Sequence, residues 1–140
     1  SGGQHTVTYM EDDSLESGQY YLYMFDNNFG YSKTRKDYDW TVNEGIQTSI
    51  LEGTTSYYYQ YLVDENEGTY TLVKSFEVPF SAYVSSAQNL GDHIVVDSGI
   101  AGLLSIYDTD GNLEQQFSIK KNDRFIYRIY YYDYKGYYFS

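Results

Sequence analysis

The sequence has no cysteine, one proline, two methionines, two histidines and only nine cationic side chains in 140 residues. Without cysteine there is neither a disulfide nor a thiolate metal site, and the compartment stays open on that ground alone. A single proline leaves long runs free to pair as strands. Nine Lys and Arg face 20 Asp and Glu, for a net charge of −11. Binding a phosphate backbone needs a concentrated basic face, so nucleic acid is excluded as a partner. The cations are scattered apart from a small group at Lys33, Arg35 and Lys36. No apolar run approaches the ~20 residues of a membrane span. No signal peptide is visible, and the Ser1-Gly2-Gly3 start reads as a cleavage point or cut edge.

What is present is aromatic: 20 Tyr and 7 Phe. Much of any core must be ring packing, with hydroxyls steered toward partners or water. Tyr favours strands, so the composition reads as all-β. The length fits one domain with a modest core. Period-two alternation supports this. In Leu113 to Ile119, Leu113, Phe117 and Ile119 fall on one face, and in Phe125 to Tyr131 the set Phe125, Tyr127, Ile129 and Tyr131 opposes Ile126, Arg128 and Tyr130. Further strands are expected at 18–25, 56–63, 69–78, 92–97, 102–108 and 135–139. Asp110-Gly111-Asn112 is the strongest hairpin signal, with Glu67-Gly68, Gly91-Asp92 and Lys135-Gly136 weaker. Glu11 to Glu16 reads as a solvated turn, and 31–53 as a long loop or a short helix around Asn43 to Leu51. Short strands with tight turns fit a sandwich, a barrel or propeller blades. At about 40–45 residues per blade the chain would hold roughly three.

The N-terminal stretch selects among these. Gln4-His5-Thr6-Val7, followed by a strand ending Tyr23-Met24-Phe25-Asp26-Asn27, resembles the segment around the active-site histidine of bacterial aryl-sulfate sulfotransferases. The family pattern is Gln-His, some twenty residues, then Phe-Asp-Asn-Gly; here Asn28 stands in place of the glycine. Tyr57 to Val78 is similar to the family's tyrosine-rich strand pair, and Val84-Ser85-Ser86 sits where the family has Val-Thr-Ser. Asp97-Ser98-Gly99, the Asp108 to Asn112 hairpin and Tyr127-Arg128 continue the resemblance to the end of the chain.

The resemblance implies a six-bladed propeller of antiparallel four-stranded blades, of which residues 1–140 would be the C-terminal part, with no separate second domain. It also implies sulfuryl transfer from a phenolic sulfate ester to a phenol, without a nucleotide donor, a cofactor or a metal. His5 would carry the group as a transient sulfohistidine. Tyr127 and Ser85 would hold the substrate, Ser85 replacing a threonine, and Asp26 and Asn27 would shape the channel wall. Because alternation sends Tyr127 and Arg128 to opposite faces, Tyr127 is preferred over Arg128. The family's other anion-gripping residues lie upstream, so the isolated chain is expected to be nearly inactive. Open sheet edges favour strand pairing between copies as the route to a homo-oligomer. The expected location is extracytoplasmic: periplasmic, secreted or cell-surface.

The plainer readings are specific too. A histidine near a terminus usually packs or faces solvent. His93 reads as a strand-opening residue after a turn, and Asp26 and Asn27 as Asx residues bonding nearby backbone. Any of 20 tyrosines defaults to a core or sheet-surface role, and Ser85 to an ordinary strand serine. Asp108, Asp110 and Asn112 have the spacing of a calcium loop but lack its glutamate, so a hairpin accounts for them better. The alternative functions are a non-catalytic all-β module binding carbohydrate or protein in an exported bacterial protein, and a structural propeller segment.

Overall fold

The computed structural model describes residues 3–43, 46 and 55–132. Eight strands form two four-stranded antiparallel sheets, each a simple meander in chain order. The first contains β1 (Gln4–Met10), β2 (Gln19–Asp26), β3 (Ser56–Asp64) and β4 (Thr69–Val78). The second contains β5 (Ser86–Asn89), β6 (His93–Ser98), β7 (Leu103–Asp108) and β8 (Leu113–Ser118). Two such sheets packed face to face have the form of propeller blades. The one helical element among the described residues is a single 3-10 turn, Trp40–Val42, capped by Asp39, whose carboxylate accepts from the Thr41 amide.

Period-two alternation decides which rings are buried. In β3, Ser56, Tyr58 and Gln60 turn inward while Tyr57, Tyr59 and Tyr61 face out. Phe25, Tyr58 and Phe76 stand opposite one another across β2, β3 and β4. Phe76 then reaches the second sheet, its ring 4.9 Å from Tyr58 and 4.8 Å from Tyr107. Ala87, Ile94 and Val96 close the core from the other side. The tyrosine hydroxyls are accommodated rather than excluded. Tyr58 Oη donates to Gln60 Oε1 at 3.3 Å, and burial pushes the phenol well above its ordinary pKa, so it stays neutral.

Turn chemistry follows the sequence closely. Between β7 and β8, Asp108 Oδ1 accepts from the amides of Asp110 at 2.9 Å and Asn112 at 2.8 Å, and Gly111 takes φ +86°. Asp108, Asp110 and Asn112 therefore make a hairpin. Asp64 does the same work at the β3–β4 turn through the Asn66 amide. The Glu11 to Glu16 turn is exposed apart from Leu15.

Two expectations fail for local reasons. A bulge in β8 leaves Glu114 with no residue opposite it on β7, because Ile106 pairs with Gln115 while Tyr107 pairs with Leu113. The extra residue flips the alternation, so Leu113 and Phe117 point to opposite faces instead of sharing one. The stretch Phe125 to Tyr131 is not a strand within a ladder. Ile126 N donates to Gly99 O at 3.2 Å and Tyr127 O accepts from Ser85 N at 3.2 Å. Beyond that, Ile129 bonds to Ser86 Oγ, and Tyr131 to the Gln88 side chain. Side chains of β5 thus stand in for a neighbouring backbone. The strand expected at 135–139 and most of the helix considered at Asn43 to Leu51 lie outside the described residues.

Candidate active site on the inner edge

β1 and β5 are the first strands of their sheets, and they lie side by side. Thr6 Oγ1 donates to the carbonyl of Ser85 at 3.3 Å, and the segment from Ile126 runs along the far side of β5. Three stretches remote in sequence therefore meet along one edge: 4–8, 84–88 and 126–131.

His5 sits on this edge, half-buried, opposite Phe25 in the register. Immediately after it β1 carries a bulge, since His5 pairs with Phe25 but Thr8 pairs with Tyr23, and Thr6 takes φ +56°. A bulge re-aims side chains and bends the strand, and a left-handed backbone in a β-branched residue persists only where its surroundings hold it. The Thr6 hydroxyl bond to Ser85 is one such hold. Burial lowers the imidazole pKa below 6.5, and the Arg128 guanidinium lowers it further. Both effects keep His5 neutral near pH 7, leaving a ring-nitrogen lone pair free.

The wall behind His5 is built by the end of β2. Asp26, Asn27 and Asn28 are all essentially inaccessible. Asp26 Oδ1 accepts from the Asn28 amide at 2.6 Å, an Asx turn. Asn27 N donates to Gly3 O at 3.0 Å, while its side-chain amide donates to the carbonyls of Ser81 and, at 3.1 Å, Val84. Asn28 adopts φ +54°, the region glycine takes without strain and asparagine tolerates better than other residues. The departure from Phe-Asp-Asn-Gly therefore preserves the turn. Its side chain adds a bond to Thr55 O at 3.1 Å. β6 repeats the arrangement. Asp97, next to the last residue of its strand, stands opposite Ser86 as Asp26 stands opposite Gln4.

Ser85 and Tyr127 occupy the edge differently. Ser85 is fully buried, its hydroxyl donating to Ser81 Oγ at 2.8 Å and accepting from the Gly99 amide at 3.1 Å. Both of these bonds tie the hydroxyl to protein, and its carbonyl steadies Thr6 beside the histidine. Ser85, expected from the resemblance to hold substrate, is in this structure hydrogen-bonded to Ser81, Gly99 and Thr6. The Tyr127 ring is 57% exposed and available for contact, with the Arg128 guanidinium carbon 5.2 Å from its centroid.

Arg128, set aside in favour of Tyr127 on alternation, is exposed beside it. The argument against it assumed regular alternation, which holds only within a regular strand. Residues 125–132 lack that regularity, and both Tyr127 and Arg128 stay on the exposed side. The signal that could have found it was the mismatch between a cation and a core-facing position. His93 opens β6 and pairs at the surface with Glu114, Nδ1 to Oε2 at 2.9 Å. A groove of about 960 Å³ on the opposite face of the first sheet, lined by Tyr20, Leu22, Met24, Tyr59, Tyr61 and Tyr70, carries no comparable chemistry.

Among the described residues no helix is long and apolar enough to cross a membrane, and no three His, Cys, Asp or Glu side chains converge as metal ligands. Neither the curated proteins nor the solved structures contain a match to the chain. The family model described as Arylsulfotransferase (ASST) matches residues 1–135, which takes in the histidine edge, both sheets and the Arg128 segment. The chain belongs to the arylsulfotransferase family.

Proposed function

We propose that these residues form part of an aryl-sulfate sulfotransferase in which His5 is the nucleophile. The observation that carries the reading is the meeting of a neutral, half-buried imidazole with the charge of Arg128 on one exposed edge. Family membership supports sulfuryl transfer to and from aryl oxygens in general.

In the first step a ring nitrogen of neutral His5 attacks the sulfur of an aryl sulfate. The N–S bond forms, the S–O bond to the aryl group breaks, and the aryl oxide departs and takes up a proton. In the second step a phenol oxygen attacks the same sulfur. Its proton is lost, the N–S bond breaks, and neutral imidazole is restored. Covalent relay splits one demanding displacement into two easier ones. The sulfuryl oxygens carry negative charge throughout, and a fixed cation beside them lowers both barriers. Arg128 supplies that cation, and Tyr127 offers a hydroxyl and a ring face to the aromatic substrate. Asp26, Asn27 and Ser85 act on the reaction only through the backbone that holds His5. The substrates are small phenolic sulfates and phenols, and the reaction takes place outside the cytoplasm.

The test is transfer from 4-nitrophenyl sulfate to phenol by the full-length protein and its His5→Ala variant. Loss of turnover with retained folding supports the reading; an active His5→Ala protein overturns it.

A further inference from the structure

The connection that leaves β2 at Asp26 holds a cluster the transfer chemistry does not use. Lys33, Arg35 and Lys36 are three of nine cations in a chain of net charge −11, set within four positions. The Arg35 guanidinium carbon lies 3.9 Å from the Tyr38 ring centroid and 5.5 Å from that of Trp40. Tyr38 and Trp40 meet edge to face at 5.0 Å. Among the described residues, no hydrogen bond or ion pair is made by the Arg35 side chain. The nearby Asp39 carboxylate is committed to the Thr41 amide at 2.9 Å and to the Thr41 hydroxyl at 2.6 Å. A planar cation lying over one ring with a second ring at its edge, and two further cations nearby in sequence, suit a flat ligand that carries negative charge.

The cluster is also tied to the end of the sheet that carries His5. Trp40 packs on Gly30, where a Cβ would collide with the Trp40 side chain. The root of the same loop is fixed to Gly3, two residues before His5, by the Asn27 amide.

We infer that the Lys33–Trp40 loop is a docking site for small aromatic anions, separate from the His5 site and serving to gather an anionic aryl ester onto a protein of net negative charge. The identity of the ligand as an aryl sulfate rests on the proposed sulfuryl transfer; the recognition of a ring bearing an anion does not. Lys33, Arg35 and Lys36 outnumber Asp37 and Asp39 in this loop, which gives it a local positive excess on a chain of net charge −11.

Trp40 is the only tryptophan among these 140 residues, and the difference between wild type and Trp40→Phe isolates the fluorescence of this loop. The experiment titrates the full-length protein with phenyl sulfate, phenol and inorganic sulfate in turn. Expected are saturable quenching by phenyl sulfate and far weaker responses to phenol or sulfate alone. Arg35→Ala is expected to weaken phenyl sulfate binding roughly tenfold, Arg35→Lys less, because the planar stack is lost while the charge remains. His5→Ala leaves the quenching unchanged. No saturable quenching, equal quenching by phenol, an unaltered Arg35→Ala titration, or loss of the response in His5→Ala would each overturn the inference. If quenching follows the expected pattern but no sulfuryl transfer occurs in the wild-type protein, the docking site stands and the transfer reading fails.

Discussion

Two ionisable groups, half-buried His5 and buried Asp97, give the inner edge its pH behaviour. Removing Arg128 relieves a repulsion on the His5 imidazolium, so Arg128→Met is expected to raise the His5 pKa. An NMR titration of the His5 ring protons reads this directly, and an unchanged pKa would separate the two residues. Asp97 is fully buried, and among the described residues neither of its carboxylate oxygens has a hydrogen-bond partner. Desolvation pushes it up to about 7. Because the folded pKa is raised, its proton favours the folded state. That contribution is complete below the unfolded carboxylate value, ~3.9, and is lost as pH rises through about 7. Asp12, Asp64 and Asp108 have lowered values and act in the opposite sense. The informative quantity is therefore the difference between wild type and Asp97→Asn. Relative to the variant, the wild type is expected to lose a few kcal/mol between pH 4 and pH 8 in urea titrations; parallel curves would contradict the assignment.

The strands themselves were largely legible from alternation and turn residues. β2, β3, β4, β6, β7 and β8 lie within a residue or two of their expected bounds, because each is long enough to show its period and is bounded on at least one side by an Asx or Gly turn. β5 has four residues, Ser86–Asn89, two of them fully buried, too short for a period to show. β1 is interrupted by its bulge, so its alternation breaks at the very position that matters. The irregular segment 126–131 was invisible for a different reason: side chains of β5 hold it, and nothing in its own residues encodes that pairing. Gly99 sets how closely this segment approaches. A Cβ there would collide with the Ile126 carbonyl and lie 2.9 Å from Val84 Cγ2. Gly99→Ala is expected to cost about 1–3 kcal/mol and to move Arg128 away from the edge. The His5 pKa then rises as it does in Arg128→Met. A variant that loses stability without shifting His5 would show that the segment and the charge are independent.

For the whole molecule, Phe76 is central to the core that joins the two sheets. Its ring packs between Tyr58 of the first sheet and Tyr107 of the second. Phe76→Ala is expected to lose about 3 kcal/mol and to lower the urea m-value, as the sheets begin to unfold separately. Retention of one steep transition would place the coupling elsewhere. At this scale composition said most: an aromatic-rich, proline-poor chain gave an all-β fold with rings as its core. Composition could not say which edge held chemistry, because that edge gathers residues from three distant stretches. The central claim is that His5 carries the transferred group. The full-length protein is exposed to 4-nitrophenyl sulfate without acceptor, digested at alkaline pH and mapped by mass spectrometry. One SO3 group on the peptide containing His5, discharged when phenol is added, is the predicted result. A protein that transfers sulfuryl groups yet shows no such adduct, or shows it on His93, would contradict the account.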